Sequence, residues 1–437
     1  MSDLHNHNAI EKQRTVAIVG LGYVGLPLAL LFVRKGFNVV GIDLDRRKVE
    51  SIQLGKSYIN EIKDQDIQEA NLSDRFTVSN EFHLMDAAEA IVICVPTPLT
   101  AHGTPDLSYL TQAAKKISSR LKRQQLVILE SSTYPGTTRE VLLPVLNQTG
   151  LNAGIDYHIA YSPERVDPGN KHFDVESIPK VISGVTPGCL ERVKELYNQI
   201  FIRVHPVSST DTAEMTKILE NAYRLVNISF INEMALICDA IHLNVWEIIE
   251  AASTKPFGYN TFYPGPGIGG HCIPVDPSYL AWKLKQYGIT SDFIHISNTI
   301  NDGMPLYITQ QLEHYLAPKA LSETRIMIYG VAYKPDIADY RESAAIGLIQ
   351  SLHLKGADVV YHDPYVPSLK VDEHKLVSLE LSAETLSNTD CVIIATDHTS
   401  LPLELVLEHA PFVYDTRNVV KGITGKSRIV TLGSGGS

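Results

Sequence analysis

One segment of the chain combines a cysteine with a high density of glycine and proline. It runs from Pro264 to Pro277 and contains Cys272. Such a composition predicts a tight loop with little side-chain cover, so we expect the thiol of Cys272 to be reachable by a small molecule. Asp276 follows four residues later and could share its surroundings. A reachable thiol is a nucleophile for carbonyl carbon; from this loop alone, a purely structural cysteine stays an open alternative.

Two polar residues on a predicted helix could assist such a thiol. From Asp211 to about Ile241 there is no glycine or proline, and apolar residues recur at helical spacing. Lys217 and Asn221 lie four residues apart on this helix and therefore share one face. A lysine can stabilise an oxyanion at a carbon bound to sulfur. The commoner alternative for Lys217 is a solvated surface charge.

A glycine turn near the amino terminus predicts a dinucleotide site. The run Gly20-Leu-Gly22-Tyr-Val-Gly25 follows a strand-like segment, precedes a helix, and is followed eighteen residues after Gly25 by Asp43 at the end of the next strand. The glycines let a pyrophosphate approach backbone N–H groups. Asp43 would bind ribose hydroxyls and repel a 2′-phosphate, which favours NAD; the basic run 46–48 weakens that preference. A structural glycine turn is the alternative.

Polar residues also follow three predicted strands. They are Thr97 in VPTP, Thr133 in SSTYPG and Glu164 in SPER. Ligands of parallel sheets bind at the carboxyl ends of the strands, where the threonines could bond a cofactor or water and Glu164 could act as a base. Each alone could be a strand-end cap, but together, downstream of a dinucleotide turn, they favour a site.

The elements that must position these groups alternate between strand and helix. The alternation fills the first third of the chain and resumes after Met304, with the long helix between. We therefore predict an α/β protein with two Rossmann-like doubly wound domains joined by a central helical domain. The expected boundaries are 1–207, 208–305 and 306–437. The end of the chain, from Thr431, resembles a linker, and we expect its last residues to play no part in the fold.

Composition excludes several classes of function. A net charge of −11, from 38 basic and 49 acidic residues, argues against nucleic-acid and anionic membrane partners. The five cysteines are scattered without a CxxC pair, so we expect no disulfide framework, no metal site and a reducing cytoplasm. The uncharged run from Val16 to Val33 could pass for a membrane span, but its glycines and Pro27 predict strand, turn and helix.

Seven ordered motifs resemble the UDP-glucose/GDP-mannose dehydrogenase family, in particular the branch acting on UDP-N-acetylhexosamines. They cover roughly Val16 to Val430 and read GLGYVGLP, VPTP, SSTYPGTT, SPERVDPG, AEMTKILENAYR, PGPGIGGHCIPVDP and GVAYKPDIADYRES. The resemblance implies NAD-dependent, four-electron oxidation of the C6 hydroxyl of UDP-N-acetyl-D-glucosamine to a carboxylate, for surface polysaccharide precursors. It implies that 1–207 binds NAD, 208–305 carries the catalytic loop and dimer seam, and 306–437 binds the UDP-sugar.

The resemblance also assigns roles to residues. Cys272 would hold the aldehyde as a thiohemiacetal and then as a thioester, and Glu164 would serve thioester hydrolysis. Lys217 with Asn221 would steady the oxyanion, and Thr133 with Asp276 would order a water. The implied NAD contacts are Gly20, Gly22, Tyr23, Val24, Gly25, Asp43, Lys48, Thr97, Thr133 and Arg341. The implied substrate contacts are Arg165, Val166, Lys217, Asn221, Arg224, Tyr259, Asn260, Gly267, Tyr333, Lys334 and Arg417.

Two positions depart from the family pattern. No arginine occurs in Gly258–Phe262, where the family has one that reaches across the dimer, and Val275 stands where glucose-type enzymes carry a lysine. The second departure favours a sugar other than glucose. The alternatives that stay open are the same chemistry on UDP-N-acetylmannosamine, UDP-N-acetylgalactosamine or UDP-glucose; a binding protein without turnover; and a two-electron dehydrogenase of the 3-hydroxyacid or 6-phosphogluconate type. We expect a homodimer or higher homo-oligomer.

Overall fold

The computed structural model describes residues 14–59, 61–100, 102–166, 174–270 and 272–436, except the side chain of Cys272. The chain divides into two compact units, the first ending at Lys217 and the second beginning at Ile218. This boundary falls inside one helix of 31 residues, Thr210–Ala240. The long helix predicted from the spacing of apolar residues is therefore present.

The first unit is built on one sheet, which in the described residues has eight strands in the order β3-β2-β1-β4-β5-β6-β7-β8. The central part of this order is that of dinucleotide-binding sheets. Neighbouring strands are parallel except β6 and β7, which are antiparallel. The strands are β1 (Thr15–Val19), β2 (Asn38–Ile42), β3 (Phe76–Ser79), β4 (Ala90–Ile93), β5 (Leu126–Leu129), β6 (His158–Tyr161), β7 (Lys180–Gly184) and β8 (Val204–Pro206).

Helices cover both faces of this sheet. In β1, Val16 and Ile18 pack into the core on one face, while Ala17 and Val19 pack into the core on the other. Burial on both faces explains why these strands are continuous apolar runs instead of alternating ones. The helices are α1 (Gly25–Arg34), α2 (Arg46–Gln53), α3 (Asp64–Leu72), α4 (Ser108–Ser118), α5 (Leu143–Leu146), α6 (Pro187–Tyr197) and the first turns of α7 (Thr210–Ala240).

The second unit has a helical part followed by a second, smaller sheet. After the rest of α7 come α8 (Val245–Ser253), α9 (Cys272–Lys285) and α10 (Asp292–Leu316). The parallel sheet has the order β10-β9-β13-β14-β15, a doubly wound order, and β11 and β12 form a separate antiparallel hairpin. Its elements are β9 (Arg325–Tyr329), α11 (Ala344–Leu354), β10 (Asp358–His362), β11 (Ser368–Val371), β12 (His374–Val377), α12 (Ala383–Ser387), β13 (Cys391–Ile394), α13 (Leu403–His409), β14 (Phe412–Asp415) and β15 (Arg428–Thr431).

The predicted architecture of two Rossmann-like α/β parts with helices between is confirmed. The uncharged run from Val16 forms β1, a turn and the ten-residue α1. Among the described residues no helix is long and apolar enough to cross a membrane. Cys94, Cys189, Cys238 and Cys391 are buried.

Two expectations about local structure were wrong. The tight loop was expected to continue to Pro277, whereas α9 already begins at Cys272. The end of the chain is also bound into the fold: Trp246 donates its ring N–H to the carbonyl oxygen of Leu432 at 2.7 Å. The carboxylate of Asp239 accepts from the N–H of Gly433 at 3.2 Å and that of Gly435 at 2.9 Å. The sequence of the tail gave no sign of these contacts, because the tail contributes only backbone atoms to them.

Candidate active site

The three glycines between β1 and α1 differ in the space around them. A Cβ on Gly20, whose φ is +96°, would lie 2.5 Å from the carbonyl oxygen of Cys94, and one on Gly25 would lie 1.8 Å from that of Gly20. Neither position admits a side chain. A Cβ on Gly22 would meet no atom within 4 Å, so the backbone there faces open space. Tight packing behind the turn and open space before it are what a pyrophosphate requires.

Asp43, directly after β2, fixes this turn. Its carboxylate accepts from the N–H groups of Leu21 and Asp45, each at 2.9 Å, and the Lys48 ammonium lies 3.4 Å away. The next basic residue, Arg47, pairs with Asp45 at 2.8 Å. Two cations of the basic run thus face carboxylates of their own segment, which makes them poorer partners for a 2′-phosphate and favours NAD.

The side chains of two threonines at neighbouring strand ends behave differently. The hydroxyl of Thr97 donates to the carbonyl oxygen of Ser132 at 2.6 Å. The hydroxyl of Thr133 is buried and has no hydrogen-bond partner among the described residues. A buried hydroxyl without a partner is costly, and here it lies at the ligand-binding edge of a dinucleotide sheet. The residues present therefore fit a bound cofactor that would receive this hydrogen bond. Tyr23 and Val24 continue the turn toward α1, and Tyr23 is 40% exposed.

Glu164 lies three residues beyond β6 and is buried. Its carboxylate accepts from the N–H of Val166, and the Lys180 ammonium is 3.6 Å away. The ammonium of Lys217 donates to the backbone oxygen of Glu164 at 2.6 Å. Burial opposes ionisation, but the two lysines and the N–H groups of Val166 and Arg165 outweigh it and hold the pKa of Glu164 below its usual value. Glu164 is therefore a carboxylate at neutral pH.

Three buried groups beside Glu164 were missed by sequence reasoning. Glu130 follows β5 and is fully buried; it pairs with Lys180 at 2.8 Å and accepts the hydroxyl proton of Tyr197. A charged residue immediately after an apolar strand was the available signal for Glu130. Lys180 gave none, because a lysine opening a strand is ordinarily exposed.

A fourth missed group ties α7 to the segment after Thr133. The carboxylate of Glu214 accepts from the N–H of Gly136 at 2.5 Å, and from the N–H and hydroxyl of Thr138 at 2.8 and 2.7 Å. Burial raises the pKa of Glu214 to about 7, although these three donors oppose the shift. The start of α7, which carries Lys217 one turn later, is thereby anchored to the segment that follows β5.

In the second unit, Asn221 and Asp276 are in direct contact. The amide of Asn221 donates to the carboxylate of Asp276 at 2.6 Å, and both side chains are buried. Asp276 lies one turn after Cys272 on α9, so the two residues share one side of that helix. The sulfur of Cys272 lies outside the described part of the chain. Its backbone opens α9, where unpaired N–H groups favour negative charge.

The glycine loop before Cys272 packs closely on the second sheet. A Cβ on Gly269 would lie 2.8 Å from the Cβ of Tyr333, and one on Gly270 would lie 2.8 Å from the ring of Tyr333. The guanidinium of Arg417 donates to the carbonyl oxygen of Ala395 at 2.9 Å. A small cavity lies here, lined by Pro266, Gly267, Gly269, Ala332, Tyr333, Ser343, Ala344, Ala345, Ala395, Thr396 and Arg417.

This cavity lies where ligands of doubly wound sheets bind. It is at the carboxyl ends of β9 and β13, where the strand order reverses, and at the amino terminus of α11. The helix N–H groups and Arg417 suit an anion.

Asp363 follows β10 as Asp43 follows β2. It accepts from the N–H groups of Val331 at 2.7 Å and Ala332 at 3.0 Å, and His398 lies 3.1 Å from the same oxygen. The side chain of Asp43 is 11% exposed, whereas that of Asp363 is fully buried. The second sheet thus repeats the strand-end acid but closes it off from any ligand.

Several predicted binding residues have partners of their own. Arg165 donates to the carbonyl oxygen of Pro179 at 2.8 Å, and Arg341 pairs with Asp339 at 2.6 Å. The amide of Asn260 donates to the hydroxyl of Tyr223 at 2.6 Å. The remaining ones, Arg224, Tyr259 and Lys334, are partly buried in the second unit.

Three models of one family match this chain in order. They are the NAD-binding domain (residues 14–201), the central domain (211–303) and the UDP-binding domain (327–422) of the UDP-glucose/GDP-mannose dehydrogenase family.

Characterised proteins resemble the chain along most of its length. It is 36% identical to the UDP-N-acetyl-D-mannosamine dehydrogenase of Yersinia pestis, covering 88% of this chain and 93% of that one. It is 35% identical to the UDP-N-acetyl-D-glucosamine 6-dehydrogenase of Pseudomonas aeruginosa, covering 89% and 91%. A solved structure of the UDP-D-ManNAc dehydrogenase from Pyrococcus horikoshii superposes with a TM-score of 0.87 at 32% identity, covering 97% of this chain and all of that one.

Proposed function

The chain belongs to the UDP-glucose/GDP-mannose dehydrogenase family, and on that premise we propose that it oxidises the C6 hydroxyl of a UDP-N-acetylhexosamine to a carboxylate. The observation that carries the proposal is Glu164, a buried carboxylate kept ionised by two ammonium groups at the ligand edge of an NAD-binding sheet. A two-electron dehydrogenase has no use for a hydrolytic base. A four-electron enzyme with a thioester intermediate requires one.

The first half of the reaction is a pair of oxidations at one carbon. NAD, when bound, would supply the hydride acceptor for both of them. Between the two, the sulfur of Cys272 adds to the aldehyde carbon and forms a thiohemiacetal. Asp276, held by Asn221, takes up hydroxyl protons through a water that the Thr133 hydroxyl helps to order. The ammonium of Lys217 stabilises the oxyanion on C6.

The second half is hydrolysis of the thioester left by the second oxidation. A water molecule loses a proton to the Glu164 carboxylate as its oxygen bonds to C6. The C–S bond then breaks, and Cys272 leaves as a thiolate at the amino terminus of α9, where helix N–H groups stabilise negative charge. The proton taken up by Glu164 is then returned to the sulfur, so the products are the uronic acid and the regenerated thiol.

We assign the cofactor mainly to the first sheet and the nucleotide of the substrate mainly to the second. The cofactor residues are those of the glycine turn with Asp43, Lys48, Thr97, Thr133 and Arg341. For the nucleotide part of the substrate, the cavity beside Tyr333 and Arg417 offers helix N–H groups and a guanidinium to the diphosphate. Arg165, Val166, Arg224, Tyr259, Asn260, Gly267 and Lys334 complete the proposed substrate contacts.

The sugar that we propose is UDP-N-acetyl-D-glucosamine, with Val275 in place of a lysine arguing against UDP-glucose. UDP-N-acetyl-D-mannosamine is the second candidate, because the relatives from Yersinia pestis and Pyrococcus horikoshii carry that name. The two sugars differ only in the configuration at C2, so the choice between them depends on a few contacts in the pocket. UDP-N-acetylgalactosamine is the further member of the test panel.

We also propose that the chain acts as a dimer through α7. Tyr223, Phe230 and Ile237 follow one another at seven-residue spacing on this helix and are 45%, 54% and 43% exposed. An exposed apolar stripe of this length is typical of an interface, and a second copy of the chain would cover it with the same surface. Light scattering after size-exclusion chromatography gives the mass; a monomer at micromolar concentration contradicts this part of the proposal.

A panel of UDP-sugars tests the function. NADH is followed by absorbance and the sugar product by mass spectrometry, with NADP in parallel. We expect two NADH per uronic acid from a UDP-N-acetylhexosamine and little reaction with NADP. One NADH per turnover with an aldehyde product contradicts the thioester chemistry, and a preference for UDP-glucose contradicts the assignment of the sugar.

A further inference from the structure

Lys180 is a buried lysine between two buried carboxylates. Its ammonium lies 2.8 Å from Glu130 and 3.6 Å from Glu164, and the three residues are 4%, 0% and 8% exposed. A buried lysine is costly unless it is paired and hydrogen-bonded. Its two partners differ: Glu130 touches no proposed ligand, whereas Glu164 is the proposed base.

The reversed strand β7 explains how Lys180 reaches this place. Because β6 and β7 are antiparallel, β7 begins at the edge of the sheet where β6 ends. Lys180 is the first residue of β7, so it arrives beside the segment that carries Glu164. Its ammonium also lies 5.3 Å from the centre of the Phe201 ring, which is a favourable place for a cation.

Glu130 holds the ammonium of Lys180 from behind. Its second carboxylate oxygen accepts the hydroxyl proton of Tyr197, the last residue of α6, which is itself fully buried. Hydrogen bonds from both sides fix the Glu130 carboxylate, and that carboxylate fixes Lys180. The chain of contacts Tyr197–Glu130–Lys180–Glu164 thus runs from the core to the site.

We infer that Lys180 is a positioning residue for Glu164: anchored by Glu130 and Tyr197, its ammonium holds the Glu164 carboxylate in place as the base that hydrolyses the thioester. The inference rests on the proposed function. Lys180 itself touches neither substrate nor cofactor in this scheme, and the proton of the attacking water still passes to Glu164.

Lys180 and Glu130 shift the pKa of Glu164 in opposite directions. The charged and titratable groups that act on Glu164 are Lys180 on β7, Lys217 on α7, Glu130 after β5, Cys94 after β4 and Tyr197 on α6. Burial and the nearby Glu164 raise the pKa of Glu130, and Lys180 lowers the pKa of both carboxylates. Without Lys180, two buried carboxylates repel each other. Without the charge of Glu130, the ammonium of Lys180 interacts with the charge of Glu164 alone.

The test is the pH dependence of hydrolysis in single turnovers. Wild-type enzyme is mixed with NAD and a UDP-N-acetylhexosamine at a series of pH values, and decay of the Cys272 adduct is followed by rapid quench and intact mass. We expect Lys180→Met to move the acidic midpoint of the hydrolysis rate to higher pH by about one pH unit or more. Glu130→Gln should move it to lower pH, and Lys180→Arg should restore a midpoint near the wild type.

Lys35→Met is the matched control, since it removes a lysine from a partly exposed ion pair with Glu176 on the same unit. It should leave the midpoint unchanged. A merely structural role for Lys180 would lower all rates without opposite shifts of the midpoint. Equal midpoints in Lys180→Met, Glu130→Gln and wild type overturn the inference, as do shifts in the same direction. If wild type itself forms neither adduct nor acid with any UDP-sugar, it is the proposed function that fails. Thermal melting shows which variants fold. If Lys180→Met does not fold, the midpoints of Glu130→Gln and Lys180→Arg still test the inference.

Discussion

The ammonium of Lys217 donates to the backbone oxygen of Glu164, not to its carboxylate, at 2.6 Å. The carboxylate is left to the N–H of Val166 and to Lys180. One lysine therefore fixes the main chain of the proposed base, while another faces its side chain. This division keeps the carboxylate able to accept a proton.

Lys217→Ala removes that anchor and the proposed oxyanion donor together. We expect acid formation to fall by about 10²–10³-fold, the usual effect of losing one such donor. The measurement is kcat and KM for NADH production, with Lys115→Ala on the exposed face of α4 as the control. A loss confined to KM would show that Lys217 only binds substrate.

Cys272→Ala should form no uronic acid, because no sulfur remains to hold the aldehyde for the second oxidation. Product mass spectrometry measures this, and NADH yield per sugar separates the two oxidations. NADH production near the wild-type level would contradict the thiol mechanism.

Glu164→Gln should trap the thioester, since an amide cannot accept a proton from water at neutral pH. Intact mass in the presence of NAD and substrate should show the chain with one acylated cysteine. The double variant Glu164→Gln/Cys272→Ala is the control and should show no adduct. Rapid acid release by Glu164→Gln would remove Glu164 from hydrolysis.

The glycine turn offers a matched pair of substitutions. Gly25→Ala places a Cβ 1.8 Å from a backbone oxygen, so we expect a loss of more than ~2 kcal/mol of folding free energy. Gly22→Ala meets no atom within 4 Å and should fold normally, but its methyl group would occupy the proposed pyrophosphate position. Thermal melting and NAD titration separate the two effects. Normal NAD affinity in Gly22→Ala would place the pyrophosphate elsewhere.

Glu214 makes stability depend on pH. Burial raises its pKa to about 7 from an ordinary value of 4.5, so the folded chain keeps a proton that the unfolded chain releases in this window. The contribution of Glu214 to the free energy of unfolding is fully present below pH 4.5 and is lost as the pH rises to about 7. Its magnitude is ~3 kcal/mol. Because Glu214→Gln cannot titrate, the melting temperature of wild type should fall relative to that of the variant between pH 5 and pH 8. A constant difference would contradict the shift.

The order of elements was predictable because it follows from local patterns. Continuous apolar strands such as Leu126–Leu129 can be recognised from a short stretch of sequence. The same is true of the helix that begins at Thr210, which contains no glycine or proline. The glycine turn with Asp43 was predictable for the same reason, since one short segment contains the motif and its context.

The direction of β7 was not predictable, because strand pairing is decided by tertiary contacts. With it, the places of Lys180, Glu130 and Glu214 stayed hidden, as each is buried by residues distant in sequence: Lys180 lies 50 residues from its partner Glu130. The start of α9 at Cys272 was obscured by two prolines: Pro274 lies in the first turn, where proline is tolerated, but Pro277 lies inside the helix, where proline is ordinarily disfavoured.

The buried Asp363 has a consequence for the timing of the proposed reaction. In the part of the chain that the structure describes, His398 and two N–H groups engage the strand-end acid of the second sheet, which leaves Asp43 of the first sheet as the proposed partner of the NAD ribose. Both proposed oxidations would then use the same cofactor-binding site. The proposed site would have to exchange its cofactor between the two oxidations while the partly oxidised sugar stays bound. The covalent bond to Cys272 would retain the reactive aldehyde in the site during the exchange.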